Sequence, residues 1–282
     1  ETDGFAMCSK AEVKFRRKNN LLHPLEKDFG IRMVKEYTRS AAGQDKLASS
    51  TLRSPAILLK TVDYLLDVFA DERLPFGLRY SFVSDRFRAI RQELRQSRAE
   101  GAIAMEMMEK QLLFYFPAEY RARREESVAF QAKMHVTAVE ECFYIWRALR
   151  VGLNQSEEPS ALRSGIAVAD CLRRVEDAVS LPLLISYRPL ILPSTFPVAF
   201  SLIMAVRSGN FVRAFRLLRS LPSQISRLSL LPSIANLRHR SLKVIAAAYR
   251  SPPVRIPVEI VACWLGYEGR VDSLLASLSE FG

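Results

Sequence analysis

Histidine is nearly missing from this chain and cysteine is scarce: three His and four Cys in 282 residues. Cys8, Cys142, Cys171 and Cys263 lie too far apart for the paired spacing of a zinc site or the framework of a disulfide-stapled domain. They read as reduced thiols of a cytosolic or nuclear protein. His23, His135 and His239 have no Cys or carboxylate at ligand spacing, and His239 stands between two arginines. No glycine-rich phosphate loop, G-x-S-x-G elbow or H-E-x-x-H pair occurs. The adjacent carboxylates Glu125-Glu126, Glu140-Glu141 and Glu157-Glu158 point to different helix faces or sit in loops. No metal, cofactor or catalytic residue is expected, and the chain reads as a non-enzyme. No run reaches the roughly 18 apolar residues of a bilayer span, and the N-terminus lacks a signal-peptide core. No membrane partner is expected. Strand-like alternation is scarce, and no repeat of fixed period stands out.

What is present is ordinary globular composition, 49% hydrophobic and 25% charged, in a length that suits one large domain or two smaller ones. A chain that starts at Glu1 reads as a domain of a longer protein. Lys+Arg 41 against Asp+Glu 30 gives a net charge of +11, which favours an acidic partner. Most of the cations are arginine, whose planar fork suits carboxylate and phosphate.

The stretch Phe82–Arg98 organises the rest. Val83, Phe87, Ile90 and Leu94 form an apolar stripe at helical spacing, flanked by Arg88, Arg91, Arg95 and Arg98. Asp85 is placed to pair with Arg88, three residues on. Two readings stay open for the flank: a solvated face beside a packing stripe, or a surface for carboxylates or phosphates. Within the fold, Asp63, Asp67, Glu106 and Glu109 are the acids expected to meet it.

Around this stretch the periodicity predicts further helices. A short one passes through Glu12 and Arg16, and K-F-R-R-K at 14–18 reads as a solvated charge run. Ser54 and Pro55 cap and open a helix carrying Leu58, Val62, Leu65 and Phe69. Pro75 and Gly77 break the chain before the central helix. Ile103–Phe116 carries a core stripe of Met105, Met108, Leu112 and Tyr115. Ala129–Val151 carries another of Met134, Ala138, Cys142, Ile145 and Leu149, before a surface loop at Asn154–Ser160. Leu162–Val179 reads as helix, and four prolines between 182 and 197 exclude a long one there. Phe196–Val206 and Phe211–Leu221 make a hairpin about Gly209, with helices at Leu237–Tyr249, Pro257–Leu265 and Val271–Phe281, and a short strand at Val254–Ile256. The fold expected is all-α, built of stacked helical pairs.

Several segments in register resemble the SAC/GANP family. Met7-Cys8 with Glu12 and Arg16 looks like the family's opening, with Ser9 in place of a proline. V-K-E-Y-T-R-S at 34–40, L-R-S-P at 52–55, T-V-D-Y-L-L at 61–66 and F-V-S-D-R-F-R-A-I-R at 82–91 follow. G-N-F-V-R-A-F-R-L-L at 209–218 and C-W-L-G-Y-E at 263–268 are similar to later signatures. The resemblance implies a scaffold subunit of the nuclear, pore-associated mRNA-export complex TREX-two. It implies a superhelix of tetratricopeptide-like, PCI-like helical pairs ending in a winged helix. It also implies a PCI-domain protein, a small acidic Sem/DSS-type protein and non-specific RNA or DNA as partners. The divisions expected are a basic segment at 1–30, the superhelix at 31–220 and a winged-helix-like module at 221–282. Pro257–Leu265 serves as that module's second helix, and its wing strands are expected after Phe281, so the module here is truncated or degenerate.

Nucleic-acid contact is expected from Arg213, Arg216, Arg219, Arg238, Arg240, Lys243, Arg250 and Arg255, because phosphate binding needs only clustered cations. Aromatic interleaving is sparse, so base stacking is not indicated. The alternative is a protein-only scaffold of a PCI-like or centrosomal assembly.

Overall fold

The fold, seen in a computed structural model that describes residues 7–39, 52–98, 100–125, 127–151, 159–250, 255–267, 272, 274 and 275, has helix as its only regular structure among those residues. The all-α expectation is met. The expected strand is not: Arg255 and Ile256 are irregular, and Val254 lies outside the described residues, as does most of 271–281. The chain divides into two compact units, Glu1–Gln155 and Ser156–Gly282.

The first unit contains α1 (Lys10–Lys18), α2 (Pro24–Asp28), α3 (Pro55–Ala70), α4 (Phe76–Ser97), α5 (Ala102–Arg124) and α6 (Ala132–Val151). Caps set the starts. Ser9 Oγ accepts from Glu12 N at 3.1 Å, so the serine in the proline position opens α1. Ser54 Oγ does the same for α3, ahead of Pro55. α4 begins at Phe76, directly after Pro75, so Gly77 falls within its first turn instead of before it. α5 runs past the expected end at Phe116 and through Pro117 to Arg124. A proline there leaves the carbonyl of Leu113 without its helical donor, and Leu113 sits at the exposed edge of α5, where water can supply one.

α3 lies against α4 and α5, and α5 against α6. Between them Val83, Phe87, Ile90 and Leu94 are buried as the stripe predicts, together with Met105, Met108, Leu112 and Tyr115. Phe114 gathers Phe69, Tyr80, Phe87 and Tyr115 at centroid distances of 4.6–5.9 Å. α6 is rotated from the expected stripe. His135, Val139, Cys142, Phe143 and Trp146 turn inward, Met134 is exposed, and Ile145 and Leu149 are only half-buried. Polar pairing explains the rotation: Trp146 Nε1 donates to buried Glu109 at 3.1 Å, and His135 Nδ1 lies 3.1 Å from Tyr80 Oη.

The arginine flank of α4 divides. Arg91 is buried, its Nε 2.7 Å from Glu141 and its Nη1 donating to Gln111 and Tyr115 at 2.8 and 2.9 Å. Arg95 also pairs with Glu141, and Arg88 lies over the Tyr37 ring at 3.9 Å. The acid that answers the flank is thus Glu141 on α6. Of the expected acids, Asp63 and Glu106 bind Lys110 instead. Asp85 pairs with Arg86, not Arg88, at 2.8 Å.

The other side of α4 holds the N-terminal segment. Arg16, in the run that reads as a solvated face, is buried and paired with Glu26, which also accepts from Arg86 at 3.2 Å. Residues 31–39 follow without regular structure. Tyr37 N donates to Asp85 at 3.2 Å, Gln92 to the carbonyl of Thr38 at 3.1 Å, and Arg32 N to Tyr64 Oη at 2.9 Å. Buried Glu93 takes Lys35 at 3.1 Å and Arg53 at 2.9 Å, while Arg53 also donates to the carbonyl of Met7. Burial works against the Glu93 carboxylate, but Arg53 and Lys35 hold its pKa below the ordinary range.

The second unit contains α7 (Ala161–Arg173), α8 (Ser180–Ser186), a 3-10 turn at Arg188–Leu190, α9 (Phe196–Arg207), α10 (Phe211–Ser220), α11 (Gln224–Ser229), α12 (Leu231–Ala248) and α13 (Val258–Trp264). α7 is shorter than expected, ending at Arg173. α9 and α10 form the expected hairpin, with Gly209 at φ +72° just past the end of α9. α7 and α11 approach closely because residue 165 is glycine: a Cβ there would lie 2.3 Å from Ser223 Oγ, and Ser226 Oγ donates to the Gly165 carbonyl at 2.8 Å. Trp264 is partly exposed, its ring 6.3 Å from that of Tyr249.

Two expected outcomes follow from the first unit. Glu93→Ala leaves Arg53 and Lys35 without their buried carboxylate and lowers unfolding stability by about 3–5 kcal/mol in urea titration. Burial, then Arg86, pushes His23 down to about 4 from its usual 6.5. The folded state therefore binds fewer protons than the unfolded chain between those values, and stability falls as pH drops through that window. His23→Asn keeps a cap on α2 and removes this part of the acid sensitivity, read from urea midpoints at pH 7 and pH 4.5.

Candidate nucleic-acid interface

α10, α12 and α13 owe their packing to a small core of their own. Ala262, Leu265, Tyr267 and Leu274 are buried in it, with Phe211, Leu242, Ile245, Val258 and Val261 against them. Asn210 Oδ1 caps α10 by accepting from Arg213 N at 3.1 Å, and α10 turns Ala214 and Phe215 inward. With those positions buried, the helical spacing sends Arg213, Arg216 and Arg219 outward, and all three are exposed. α12 buries Leu237 and Ser241, which leaves Arg240 and Lys243 at the surface. Arg250 and Arg255 are exposed on the connection between α12 and α13.

Of the eight cations expected at a phosphate surface, seven are exposed on α10, α12 or the connection to α13. Their environments differ. Arg240 pairs with Glu176, both side chains about half exposed, so the contact is a weak surface pair. Arg213, Arg216, Lys243, Arg250 and Arg255 make no ion pair among the described residues. Arg238 is the inward one. Its Nε donates to the Leu265 carbonyl at 3.0 Å and its Nη2 to that of Gly266 at 3.2 Å, at the C-terminal end of α13. Its guanidinium lies 3.7 Å from the Tyr267 ring centre and 5.6 Å from that of Phe215. A cation at that place meets the negative end of the helix and two ring faces.

Gly266 makes this clamp possible. It sits at φ +72°, and a Cβ on it would lie 2.7 Å from Phe215 Cδ1. Two sequence signatures, G-N-F-V-R-A-F and C-W-L-G-Y, therefore meet at one ring and one glycine. Arg207, at the exposed end of α9, is a further cation that sequence clustering did not single out, since it stands alone.

Arginines exposed on helices suit phosphate oxygens, which accept bidentate donation without regard to sequence. Acid–base chemistry has no comparable arrangement among the described residues. His135, which has no carboxylate at ligand spacing in the sequence, lies 3.6 Å from Glu119 in the fold; both are buried, the imidazole among the Tyr80, Tyr115 and Phe130 rings. Among the described residues no group of three or more His, Cys, Asp or Glu is placed to hold a metal, and no helix is long and apolar enough to cross a membrane.

The sequence pattern of the SAC3/GANP family matches residues 7–279. Protein xmas of Drosophila melanogaster is 26% identical over 234 residues, covering 78% of this chain and 11% of the fly protein. SAC3 family protein 1 of Schizosaccharomyces pombe is 40% identical over 60 residues, covering 21% of this chain and 6% of the yeast protein. The chain spans only a small part of the length of these relatives.

Gly266→Ala is expected to destabilise the second unit by about 1–3 kcal/mol, through its left-handed backbone and the displaced Phe215 ring. Thermal unfolding by circular dichroism checks this, with Gly30→Ala, also at positive φ but with open space around it, showing the smaller loss.

Proposed function

This chain belongs to the SAC3/GANP family, and from that premise we propose that it is a non-enzymatic scaffold of the nuclear mRNA-export machinery whose second unit contacts nucleic-acid phosphates. The observation that carries the nucleic-acid part is the set of exposed cations on α10, α12 and the connection to α13, all borne by elements of one small core. A surface of this kind binds by releasing counterions and needs no base contact. In this reading residues 221–282 form the winged-helix-like module, with α13, after α12, as the second of its two longer helices, and the helical pairs at 31–220, α10 included, form the superhelix. The partners are a PCI-domain protein and a small acidic Sem/DSS-type protein, at a nuclear, pore-associated location. Arg238 has a different task from its neighbours: it holds α12 to the end of α13, and phosphate contact falls to Arg213, Arg216, Arg219, Arg240, Lys243, Arg250 and Arg255.

The test is RNA binding across a salt series, by the chain alone and with a PCI-domain protein. Affinity is expected to fall steeply with salt. Arg213→Ala, Arg216→Ala and Lys243→Ala should each lower the slope of log K against log salt by about 0.7–0.9, the share of one neutralised phosphate. Arg238→Ala should instead lower the melting temperature. Absence of RNA binding in both states, with the protein complex still forming, would leave the protein-only scaffold.

A further inference from the structure

The first unit has a cavity of about 460 Å³ where the end of α4, the start of α5 and the last turns of α6 meet. Its walls are Leu94, Ala104, Ile145, Ala148 and Leu149, and the Tyr144 ring stands 71% exposed beside them. The rotation of α6 explains why this surface is open. His135, Val139, Cys142 and Trp146 occupy the core, so Ile145 and Leu149, apolar residues at core spacing, are left in the groove. A hollow of this size, within the roughly 300–1,000 Å³ range of binding pockets, has room for more than one large side chain.

The charge around the groove is unbalanced. Glu141 is a single carboxylate between two guanidinium groups, Arg91 buried and Arg95 with 55% of its side chain exposed. Arg98 is exposed on the same rim and makes no ion pair among the described residues, while Glu100 is the one acidic residue lining the cavity. Among the residues that line the cavity, Arg95 and Arg98 stand against Glu100, an excess of positive charge beside an apolar hollow.

We propose that this groove docks a peptide segment of a protein partner in which bulky apolar side chains alternate with carboxylates. The apolar side chains enter between Ile145, Leu149 and Leu94, and the carboxylates meet Arg95 and Arg98. Aliphatic walls offer no donors or acceptors to read a nucleobase edge, so the groove suits peptide side chains better than RNA. The site lies in the other unit from the basic module, and it stands whether or not that module binds RNA.

The test uses the whole chain and a short fluorescein-labelled peptide of Phe and Leu alternating with Glu and Asp, followed by anisotropy. Saturable binding is expected. Ala148→Trp, at an exposed position that fills the groove, and Arg98→Glu should each weaken it by about tenfold or more. The same peptide with Lys for the acids should not bind, and Lys243→Glu should change nothing. Thermal melts of each variant establish that it folds. No binding to the unsubstituted chain, equal binding by folded Ala148→Trp, or equal binding of the lysine peptide would overturn the proposal. So would a labelled oligouridine that binds in the peptide's place and is lost in Arg98→Glu.

Discussion

A guanidinium or carboxylate can leave water only in the company of a partner of opposite charge or a ready set of hydrogen bonds. α4 buries Arg86, Arg91 and Glu93, and the rest of the first unit is arranged to meet that demand. Glu26 of α2 reaches Arg86, Glu141 of α6 reaches Arg91, and Arg53 and Lys35 reach Glu93. Hydrophobic burial along Val83, Phe87, Ile90 and Leu94 supplies the attraction but is indifferent to register. The ionic contacts fix which residue stands opposite which, since a slipped register would strand a charge in the core.

This constraint explains why short segments scattered along the chain act together. Met7 gives its carbonyl to Arg53, Lys35 and Arg53 share Glu93, Tyr37 meets Asp85 and Arg88, and Tyr64 receives Arg32. The opening segment, V-K-E-Y, L-R-S-P, T-V-D-Y-L-L and the central helix are parts of one interlocked arrangement. The second unit repeats the logic with a ring and a glycine. Phe215, Gly266, Tyr267 and Arg238 close on one another, and none of the four can change size freely.

A helix start was legible at Ser54, where a cap residue and a proline precede an apolar period, but not at Ser223, which caps the unexpected α11, nor at Leu231, where α12 begins ahead of the expected Leu237. Helix ends were less so, because Pro117 is tolerated where the freed carbonyl can reach water. The orientation of α6 was not legible: its sequence offers two apolar stripes, and the choice between them depends on Glu109 and Tyr80, distant in the chain. The same reason hid the partner of the arginine flank. Glu141 is one of several acids on neighbouring helices, and only packing selects it. At the basic module, periodicity identified the outward arginines on α10 because Ala214 and Phe215 mark the inward face. It could not separate Arg238 from Arg240, two residues apart, although one clamps the end of α13 and the other pairs at the surface.

The two tryptophans are divided between the units, and their surroundings are unlike. Trp146 is sealed in the first unit with its indole N–H on Glu109, while Trp264 is half open to solvent in the second, beside Tyr249. An indole in a dry pocket emits at shorter wavelength than one that water can reach. The protein thus carries a differently coloured intrinsic lamp in each half, and the melting of one half can be watched apart from the other without attaching a dye.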